Sequence, residues 1–437
     1  MGSTRAARPA PMAGLLRDDA EIAGPVLTRR VHLVGLVIGV VTALLHVPRR
    51  SGDDWASLWI AGIIARDDEH AHLYDHHPED FATWFGPVWD HHVHTGDYSP
   101  YPHPFVQAPV VAEALAPLTR IMSFDVSLVL LTVASGWSLA VLVAAAWHLW
   151  AHATVPTGVL VVVAAGAWLS VPFQDAVQLG QTTMPVIAAV AYAVAAARTS
   201  PTVTGLVLAA AAVVKLTPLL LIVLLLLFRR TRPAGWRAIG AGAIFSAVSL
   251  LAAGWQTHVD WVTRLREIAG GAIVAPASES IPSIALLSRW HESQEEEDSV
   301  VVLTVADPPG WVGLLTAAVA VTLVGLVVTA AWHRREYSYE LLTVGLFTAV
   351  TLTTGLVWTH YLIIALLPAA GALLAGHARS LTAAATALAL LPQFAPIAGE
   401  NSLLPFPGGG LYSALAVTVI MCVSVGWSRR RTRSDTT

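Results

Sequence analysis

The chain repeats one pattern along most of its length: apolar stretches of about twenty residues, separated by short polar connections. A helix that crosses a bilayer needs about that many apolar residues, so the pattern predicts an all-α polytopic membrane protein with about ten spans. The predicted spans are 31–48, 124–150, 156–173, 181–197, 236–254, 311–332, 339–358, 360–376, 380–397 and 409–427. Charged residues make up only 12% of the chain, about half the share in a soluble globular protein, and the net charge is −4. These values argue against an ordinary soluble enzyme and against a protein that binds nucleic acid.

The apolar stretch 201–228 differs from the others because Lys215 and Pro218 interrupt its middle. Arg198 precedes the stretch and Arg229 follows it, which favours the same side of the membrane for both ends. The segment then enters and returns as two half-helices, a re-entrant pair, which is tolerated only where protein or water covers the broken backbone. One long kinked helix is the alternative, and it would reverse the direction of every later span.

The distribution of Lys and Arg predicts the orientation, because cytoplasmic loops of membrane proteins are enriched in both. With both termini in the cytoplasm, 17 of the 25 basic residues lie inside and seven lie outside, and Lys215 lies within the membrane. The chain then divides into an N-terminal tail (1–30), a single transmembrane domain (31–427) with external connections at 49–123 and 255–309, and a C-terminal tail (428–437). Because the internal connections are only a few residues long, the active site is predicted on the external face of the plasma membrane.

The first external connection opens with Gly52-Asp53-Asp54-Trp55, directly after the first span. Two carboxylates at the start of a helix are typical of an N-cap with acidic first-turn residues. A carboxylate held at the bilayer surface could also act as a general base, and the two roles are compatible. A Pro-rich turn at 98–104 then leads into the apolar stretch 105–118, which is too short to span and is predicted to lie in the membrane interface.

The same connection is rich in histidine and in acidic residues, both of which bind divalent metals. The histidines are His70, His72, His76, His77, His91, His92, His94 and His103. No standard zinc-binding spacing appears among them, so the sequence requires no cofactor and leaves a divalent metal site open.

Several short elements follow one another along residues 31–376. They are Asp53-Asp54-Trp55 through Trp59, Leu73-Tyr74-Asp75, Tyr101-Pro102-His103-Pro104, Leu179-Gly180-Gln181-Thr182-Thr183, Val214-Lys215-Leu216-Thr217-Pro218, a looser Ser280-Ile281-Pro282-Ser283 through Arg289, and Trp358-Thr359-His360-Tyr361. In this order and on this hydropathy profile they resemble glycosyltransferase family 87, polytopic enzymes of the GT-C type from actinobacterial cell envelopes. The chain departs from that pattern where Thr183 replaces an asparagine and Tyr361 replaces a second histidine. It also lacks the Asn and Gln of the family's Asn-Gln-Ser segment near Ser280, so the donor and the acceptor are left open.

The resemblance implies a GT-C fold and transfer of a mannosyl or arabinofuranosyl residue from a polyprenyl-phosphate sugar to an envelope glycolipid or polysaccharide. It implies that Asp54 is the general base, with Asp53 as the second candidate, in a single displacement that inverts the anomeric centre. His360, Lys215 and Arg289 are expected to bind the donor phosphate. Substrate contacts are expected from Trp55, Trp59, Tyr74, Tyr101, Gln181 and Trp358.

Plainer interpretations of the basic residues remain open. Lys215 could extend its ammonium toward the cytoplasm, His360 could be an interfacial histidine bonded to the backbone, and Arg289 could be a surface residue. At the level of the whole protein, a lipid or sugar transporter is the first rival, because broken helices and a lysine at mid-membrane are transporter features. A non-catalytic subunit of an envelope-synthesis complex is the second rival.

Overall fold

A computed structural model describes residues 24–46, 51–77, 80–96, 98–99, 102–275, 277–296, 302–394 and 408–427. The chain is mostly helical. The first helices are α1 Arg29–His46, α2 Asp53–Arg66, α3 Pro87–Thr95, α4 Pro109–Leu115, α5 Leu118–Ile121, α6 Phe124–Ala151, α7 Thr157–Trp168, α8 Val171–Gln178, α9 Thr183–Ala196, α10 Pro201–Val214 and α11 Leu219–Leu227. They are followed by α12 Arg232–Gly270, α13 Ile281–Ala285, α14 Leu287–Glu296, α15 Gly310–His333, α16 Ser338–Leu352, α17 Leu366–Ala375, α18 Arg379–Leu390 and α19 Gly409–Gly426. Short 3₁₀ turns occur at His70–His72, Arg335–Tyr337, Thr359–Ala365 and Leu391–Phe394.

In the part of the chain that the structure describes, two small antiparallel sheets accompany the helices. In the first connection, β1 His76–His77 pairs with β2 Asp80–Trp84, so that His76 lies opposite Trp84. In the second connection, β3 Ala272–Val274 pairs with β4 Leu303–Val305. The guanidinium of Arg264 in α12 is buried and donates to the carbonyl oxygen of Phe81 in β2, which ties the two connections together.

Within the described residues, five helices are long and apolar enough to cross a membrane: α1, α6, α12, α15 and α19. The pair α7 and α8 would make a sixth span, although the two helices meet at an angle of 67°. The other predicted spans contain shorter helices. For example, the helix in the predicted span 339–358 already ends at Leu352. The predicted span 360–376 begins with a 3₁₀ turn. An apolar stretch of twenty residues therefore does not always become one straight helix here.

Helix α12 breaks at Gly254, where the sequence predicts the end of a span. The φ of Gly254 is 79°, in the left-handed region, and a second helical stretch continues to Gly270. The stretch 105–118 contains the short helix α4, which packs against α2 and α12. The helix α4 is therefore packed between two other helices of the protein.

The crossing of α1 and α6 depends on glycine at the contact. A Cβ atom on Gly136 would lie 2.5 Å from the Cα of Gly39, and a Cβ on Gly39 would lie 2.4 Å from the carbonyl oxygen of Val133. These distances are well below van der Waals contact, so the two backbones touch directly. Close backbone approach through small residues is a common source of helix association in lipid.

The stretch 201–228 is broken where the sequence predicts it, between α10 and α11. A Cβ on Gly205, near the start of α10, would lie 2.6 Å from the Cβ of Arg237, while a Cβ on Gly235 would lie 2.9 Å from Leu226, near the end of α11. Both outer ends therefore contact the same turn of α12. A straight helix would separate residues 205 and 226 by about 31 Å, so the two half-helices fold back on each other with Lys215 at their tip.

The bundle has two chemically different ends. At one end, Arg198 pairs with the buried carboxylate of Glu340 at 3.3 Å, and His152 lies 3.9 Å from the same carboxylate. At the other end lie the start of α2, the tip of the α10–α11 pair and the turn that contains His360. We call the latter the α2 end.

Candidate functional site

The first turn of α2 carries the two adjacent carboxylates. Its N-cap is Gly52, with a φ of 69°, and no side chain caps the helix, so the expectation that Asp53 or Asp54 is the N-cap is wrong. Both lie in the first turn, as predicted. The backbone N–H of Gly52 donates to the carbonyl of Gln178 at 3.0 Å, and that of Asp54 donates to the carbonyl of Leu179 at 3.0 Å. Backbone carbonyls at the end of α8 therefore accept the N–H groups at the start of α2, as a capping side chain would.

Asp53 and Asp54 face different partners. The hydroxyl of Ser99 donates to Asp53, which ties that carboxylate to the Pro-rich turn. The Oδ1 atom of Asp54 lies 4.0 Å from the Nε2 atom of His103, and 18% of the Asp54 side chain is exposed. Asp54 is therefore a partly exposed carboxylate next to His103.

Gly180 allows α2 and the end of α8 to come together. Its φ is +68°, and a Cβ there would lie 2.9 Å from the Cβ of Trp55. The next residue, Gln181, is held by a backbone bond to Ala176 and accepts a hydrogen bond from the hydroxyl of Thr183 at 3.3 Å. The predicted Gln181 thus lies at the α2 end, with most of its side chain buried.

His360 lies in the 3₁₀ turn Thr359–Ala365 and is almost completely buried, with 1% of its side chain exposed. Its Nδ1 atom lies 3.1 Å from the Oδ2 atom of Asp175 in α8. Its Nε2 atom has no hydrogen-bond partner among the residues that the structure describes. Asp175 was not predicted as a site residue. The sequence feature that could have identified Asp175 is its carboxylate in an otherwise apolar stretch, one helical turn before Leu179-Gly180-Gln181.

Lys215, at the tip of the α10–α11 pair, reaches the same place. Its Nζ atom donates to the hydroxyl of Tyr361 at 3.0 Å and lies 4.2 Å from the centre of that ring. The rings of Tyr361 and His360 are 4.9 Å apart. The structure therefore brings Lys215 and His360 together, and Lys215 does not extend toward the opposite end of the bundle.

The extended segment 277–279 pairs with residues 357–359 and so fixes the turn that carries His360. The backbone N–H of Glu279 donates to the carbonyl of Val357 at 2.6 Å, and that of Thr359 donates to Ala277 at 3.2 Å. The Glu279 carboxylate accepts the N–H of Leu411, in the first turn of α19, at 3.1 Å. Burial raises the pKa of Glu279, and the backbone hydrogen bonds oppose that shift. Trp358 lies opposite Ser278 in this pairing. Its ring is 6.4 Å from the ring of His103, which places the paired segments close to Asp54.

Three predicted substrate-binding aromatic residues lie in the protein core in this structure. The indole of Trp55 donates to Ser127 at 2.8 Å, and its ring centre lies 6.5 Å from that of Trp59, which is 2% exposed. The hydroxyl of Tyr74 donates to the carbonyl of Gln107 at 2.7 Å. These contacts hold the three side chains in the core next to the first turn of α2. A direct contact of any of them with substrate stays a prediction.

Two further predicted residues lie away from this arrangement. Tyr101 lies outside the described residues. Arg289 is exposed on α14, and no hydrogen bond or ion pair of its side chain with His360 or Lys215 is found in the described part of the chain. A phosphate contact by Arg289 therefore stays a prediction.

Several histidines of the first connection form separate pairs with carboxylates. His70 contacts Glu113 at 2.6 Å and His76 contacts Glu267 at 2.8 Å. His72 contacts Asp75 at 2.7 Å. Across the described ranges, no group of three or more His, Cys, Asp or Glu residues is arranged to hold a metal ion.

An apolar groove runs along the α10–α11 pair. It has a volume of about 440 Å³ and lies between that pair, α12 and the start of α4. Leu216, next to Lys215, lines it at one point, and Ser249 and His258 give it a polar rim. The groove thus connects an apolar helix surface with the tip that carries the ammonium group.

Together these features define an apolar helical protein in which a carboxylate, an imidazole and an ammonium group lie at one end of the bundle. A sequence model of glycosyltransferase family 87 matches residues 105–357, more than half of the chain. The chain therefore belongs to glycosyltransferase family 87 and is a membrane glycosyltransferase, and the resemblance found in the sequence is confirmed. The matched range includes Asp175 and Lys215, whereas Asp54 and His360 lie on either side of it. Searches of curated proteins and of solved structures gave no match.

Proposed function

We propose that this chain transfers a mannosyl or arabinofuranosyl residue from a polyprenyl-phosphate sugar to a glycolipid or polysaccharide of the cell envelope. The observation that carries the proposal is the convergence of Asp54, His360 and Lys215 at the α2 end. Asp54 lies close enough to His360 to act on it electrostatically, and Lys215 is joined to His360 through Tyr361. Glycosyl transfer from a phosphate donor needs a base on one side of the sugar and cationic groups on the other.

Asp54 is the proposed general base. The acceptor hydroxyl oxygen forms a bond to the anomeric carbon while its proton passes to the Asp54 carboxylate. At the same time the bond between the anomeric carbon and the phosphate oxygen breaks, and polyprenyl phosphate leaves with both electrons. A single displacement of this kind inverts the anomeric centre. Asp53 is less suited to the role, because Ser99 already donates to its carboxylate.

His360 and Lys215 are proposed to stabilise the leaving phosphate. The Nε2 atom of His360 has no partner among the described residues, so a protonated ring can give that hydrogen bond to a phosphate oxygen. Lys215 supplies a positive charge at the break between two half-helices. Hydrogen bonds from charged donors to an anion are roughly twice as strong as neutral ones.

The groove along α10, α11 and α12 is the proposed site for the prenyl tail. It is apolar along the helices, and it reaches Leu216, next to the proposed phosphate-binding lysine. A lipid-linked donor needs an apolar groove for its prenyl tail and a cationic group for its phosphate, whereas a free nucleotide sugar needs no apolar groove.

The proposed topology has about ten crossings in a GT-C fold, with both termini in the cytoplasm and the α2 end outside. In this orientation the ion pair of Arg198 and Glu340 lies on the cytoplasmic side, where basic residues are enriched. The donor would then be available only as a lipid-linked sugar, because nucleotide sugars are cytosolic. The proposed acceptor is therefore also presented outside.

Membrane vesicles that contain the protein test this function. They receive radiolabelled polyprenyl-phosphate mannose or polyprenyl-phosphate arabinose together with an envelope lipid extract. Transfer of label to a lipid or polysaccharide acceptor is the expected result. Movement of intact donor across the vesicle membrane without transfer would favour a transporter, and the absence of both would favour a non-catalytic subunit.

A further inference from the structure

The buried pair of His360 and Asp175 contains one polar atom with an unmet hydrogen-bonding capacity. His360 is 1% exposed, and its Nδ1 atom lies 3.1 Å from the Oδ2 atom of Asp175. An ionised carboxylate only accepts hydrogen bonds, so the Nδ1 atom carries the proton of this contact. The Nε2 atom is equally buried, and no described residue bonds to it. Buried polar atoms are normally paired, so this atom needs a partner that the described residues do not provide.

The charges around His360 explain why a carboxylate is needed behind it. The titratable groups that face the ring are Asp175, Lys215, Tyr361 and Asp54. Burial of the ring, first of all, and the nearby ammonium group of Lys215 oppose a second proton on the imidazole, whereas the contacting carboxylate of Asp175 favours it. Only a doubly protonated ring can donate from Nε2 while Nδ1 donates to Asp175.

α8 holds Asp175 in a fixed place. This helix meets α7 at 67°, and the bend turns Asp175 toward the 3₁₀ turn of His360. On the same helix, Gln174 contacts the Nε2 atom of His46 at 2.6 Å and donates to the carbonyl of Trp168. α8 is thus anchored to α1 and α7 by a residue that has no hydrogen bond to His360.

We propose that Asp175 is a positioning residue of the transferase. It holds the His360 ring so that Nε2–H faces the donor phosphate, and its charge balances the imidazolium that makes this bond. The inference rests on the proposed function of the site, and it adds a residue that acts on the donor only through His360. In this arrangement the carboxylate–imidazole pair keeps a charged donor group in a place from which water is excluded.

The test compares Asp175→Asn and Asp175→Ala with the full-length protein in lipid nanodiscs. Asparagine keeps the size of the side chain and an acceptor oxygen for Nδ1–H but removes the charge, whereas alanine removes both. We expect Asp175→Asn to raise the KM for the donor about tenfold or more, with little change in the KM for the acceptor. Loss of the negative charge should also move the alkaline limb of the pH–rate profile by about one unit toward lower pH, because the imidazolium loses its proton more easily.

Gln174→Ala is the matched control. It removes two hydrogen bonds from the same helix without touching His360, so it should lower the melting temperature and leave the pH profile unchanged. A second measurement, independent of turnover, is the affinity for farnesyl phosphate in detergent. It should fall in Asp175→Asn and in His360→Ala, and the double variant should lose no more than His360→Ala alone.

Two results would overturn the inference. One is an Asp175→Asn variant with the donor KM, pH profile and farnesyl phosphate affinity of the wild-type protein. The other is loss of kcat at an unchanged donor KM, which would make Asp175 a general base rather than a positioning residue. If the wild-type protein transfers no sugar at all, the proposed function fails instead, and the farnesyl phosphate affinities still decide the role of Asp175.

Discussion

Replacement of Asp54 by asparagine separates catalysis from structure at this site. Asparagine is nearly isosteric with aspartate and cannot accept a proton at neutral pH. Asp54 makes no capping hydrogen bond in α2, so the change should cost only its interactions with the helix dipole and with His103. Together these contribute about 1 kcal/mol to the free energy of unfolding. Loss of a general base slows a reaction about 10²–10⁴-fold, which corresponds to about 3–5 kcal/mol of barrier. We therefore expect a nearly inactive protein that melts close to the wild-type temperature.

The assay measures the initial rate of sugar transfer in nanodiscs, with thermal unfolding of the same samples in parallel. Asp53→Asn is the control, because asparagine keeps an acceptor for the hydroxyl of Ser99 and the change should be mild. A fully active Asp54→Asn would refute the assignment of the base. If Asp53→Asn were inactive at the same time, the base would move one residue toward the N-terminus. If both variants were active, this segment would have no part in the chemistry.

Three further predictions address topology, the phosphate contacts and helix packing. A single cysteine at Asp90, in a Cys422→Ser background, should react with a membrane-impermeant reagent in intact cells, because the α2 end is proposed to lie outside. His360→Ala and Lys215→Ala should each raise the KM for the donor more than the KM for the acceptor, as measured by initial rates, since each removes a donor to the leaving phosphate. Gly136→Val should destabilise the protein by about 1–3 kcal/mol in thermal unfolding, because the added side chain meets backbone of α1.

Each of these experiments has an internal check. Labelling at position 90 only after permeabilisation would reverse the proposed topology. Wild-type turnover of His360→Ala at limiting donor would exclude a phosphate contact. Gly158→Val is the packing control, because a Cβ there meets nothing within 4 Å, and equal destabilisation by both glycine variants would show that the contact with α1 is not responsible.

The sequence predicts the break of the stretch 201–228 for a physical reason. Pro218 has no backbone N–H and clashes with the preceding turn of a helix, and a lysine in the middle of an apolar stretch needs a partner. Both effects are local, so they can be recognised without the fold. The partner of Lys215 is Tyr361, which lies 146 residues later in the chain, and no local pattern indicates that contact.

The pair of Asp175 and His360 escaped prediction for the same reason. The two residues are 185 positions apart, and each alone is one polar residue in an apolar segment. The cap of α2 was missed because it comes from backbone carbonyls after α8, which no side-chain pattern encodes. Hydropathy also does not separate continuous helical spans from broken ones, since an apolar composition is satisfied equally by a long helix and by a 3₁₀ turn followed by a short helix, as in 359–375.

Because α10 and α11 fold back on each other, a small tilt at their contact with α12 is amplified into a larger displacement of the tip. One end contacts a single turn of α12 through Gly205 and Leu226, and the other end is the tip, where Lys215 donates to Tyr361. α10 is 14 residues long, so a tilt of about 5° at the base moves the tip by about 2 Å. In oriented catalysis, a misplacement of about 1 Å can cost about 10²-fold in rate. A side chain larger than glycine at position 205 would therefore displace Lys215 at the proposed phosphate site from the opposite end of the bundle, without touching any residue of the site.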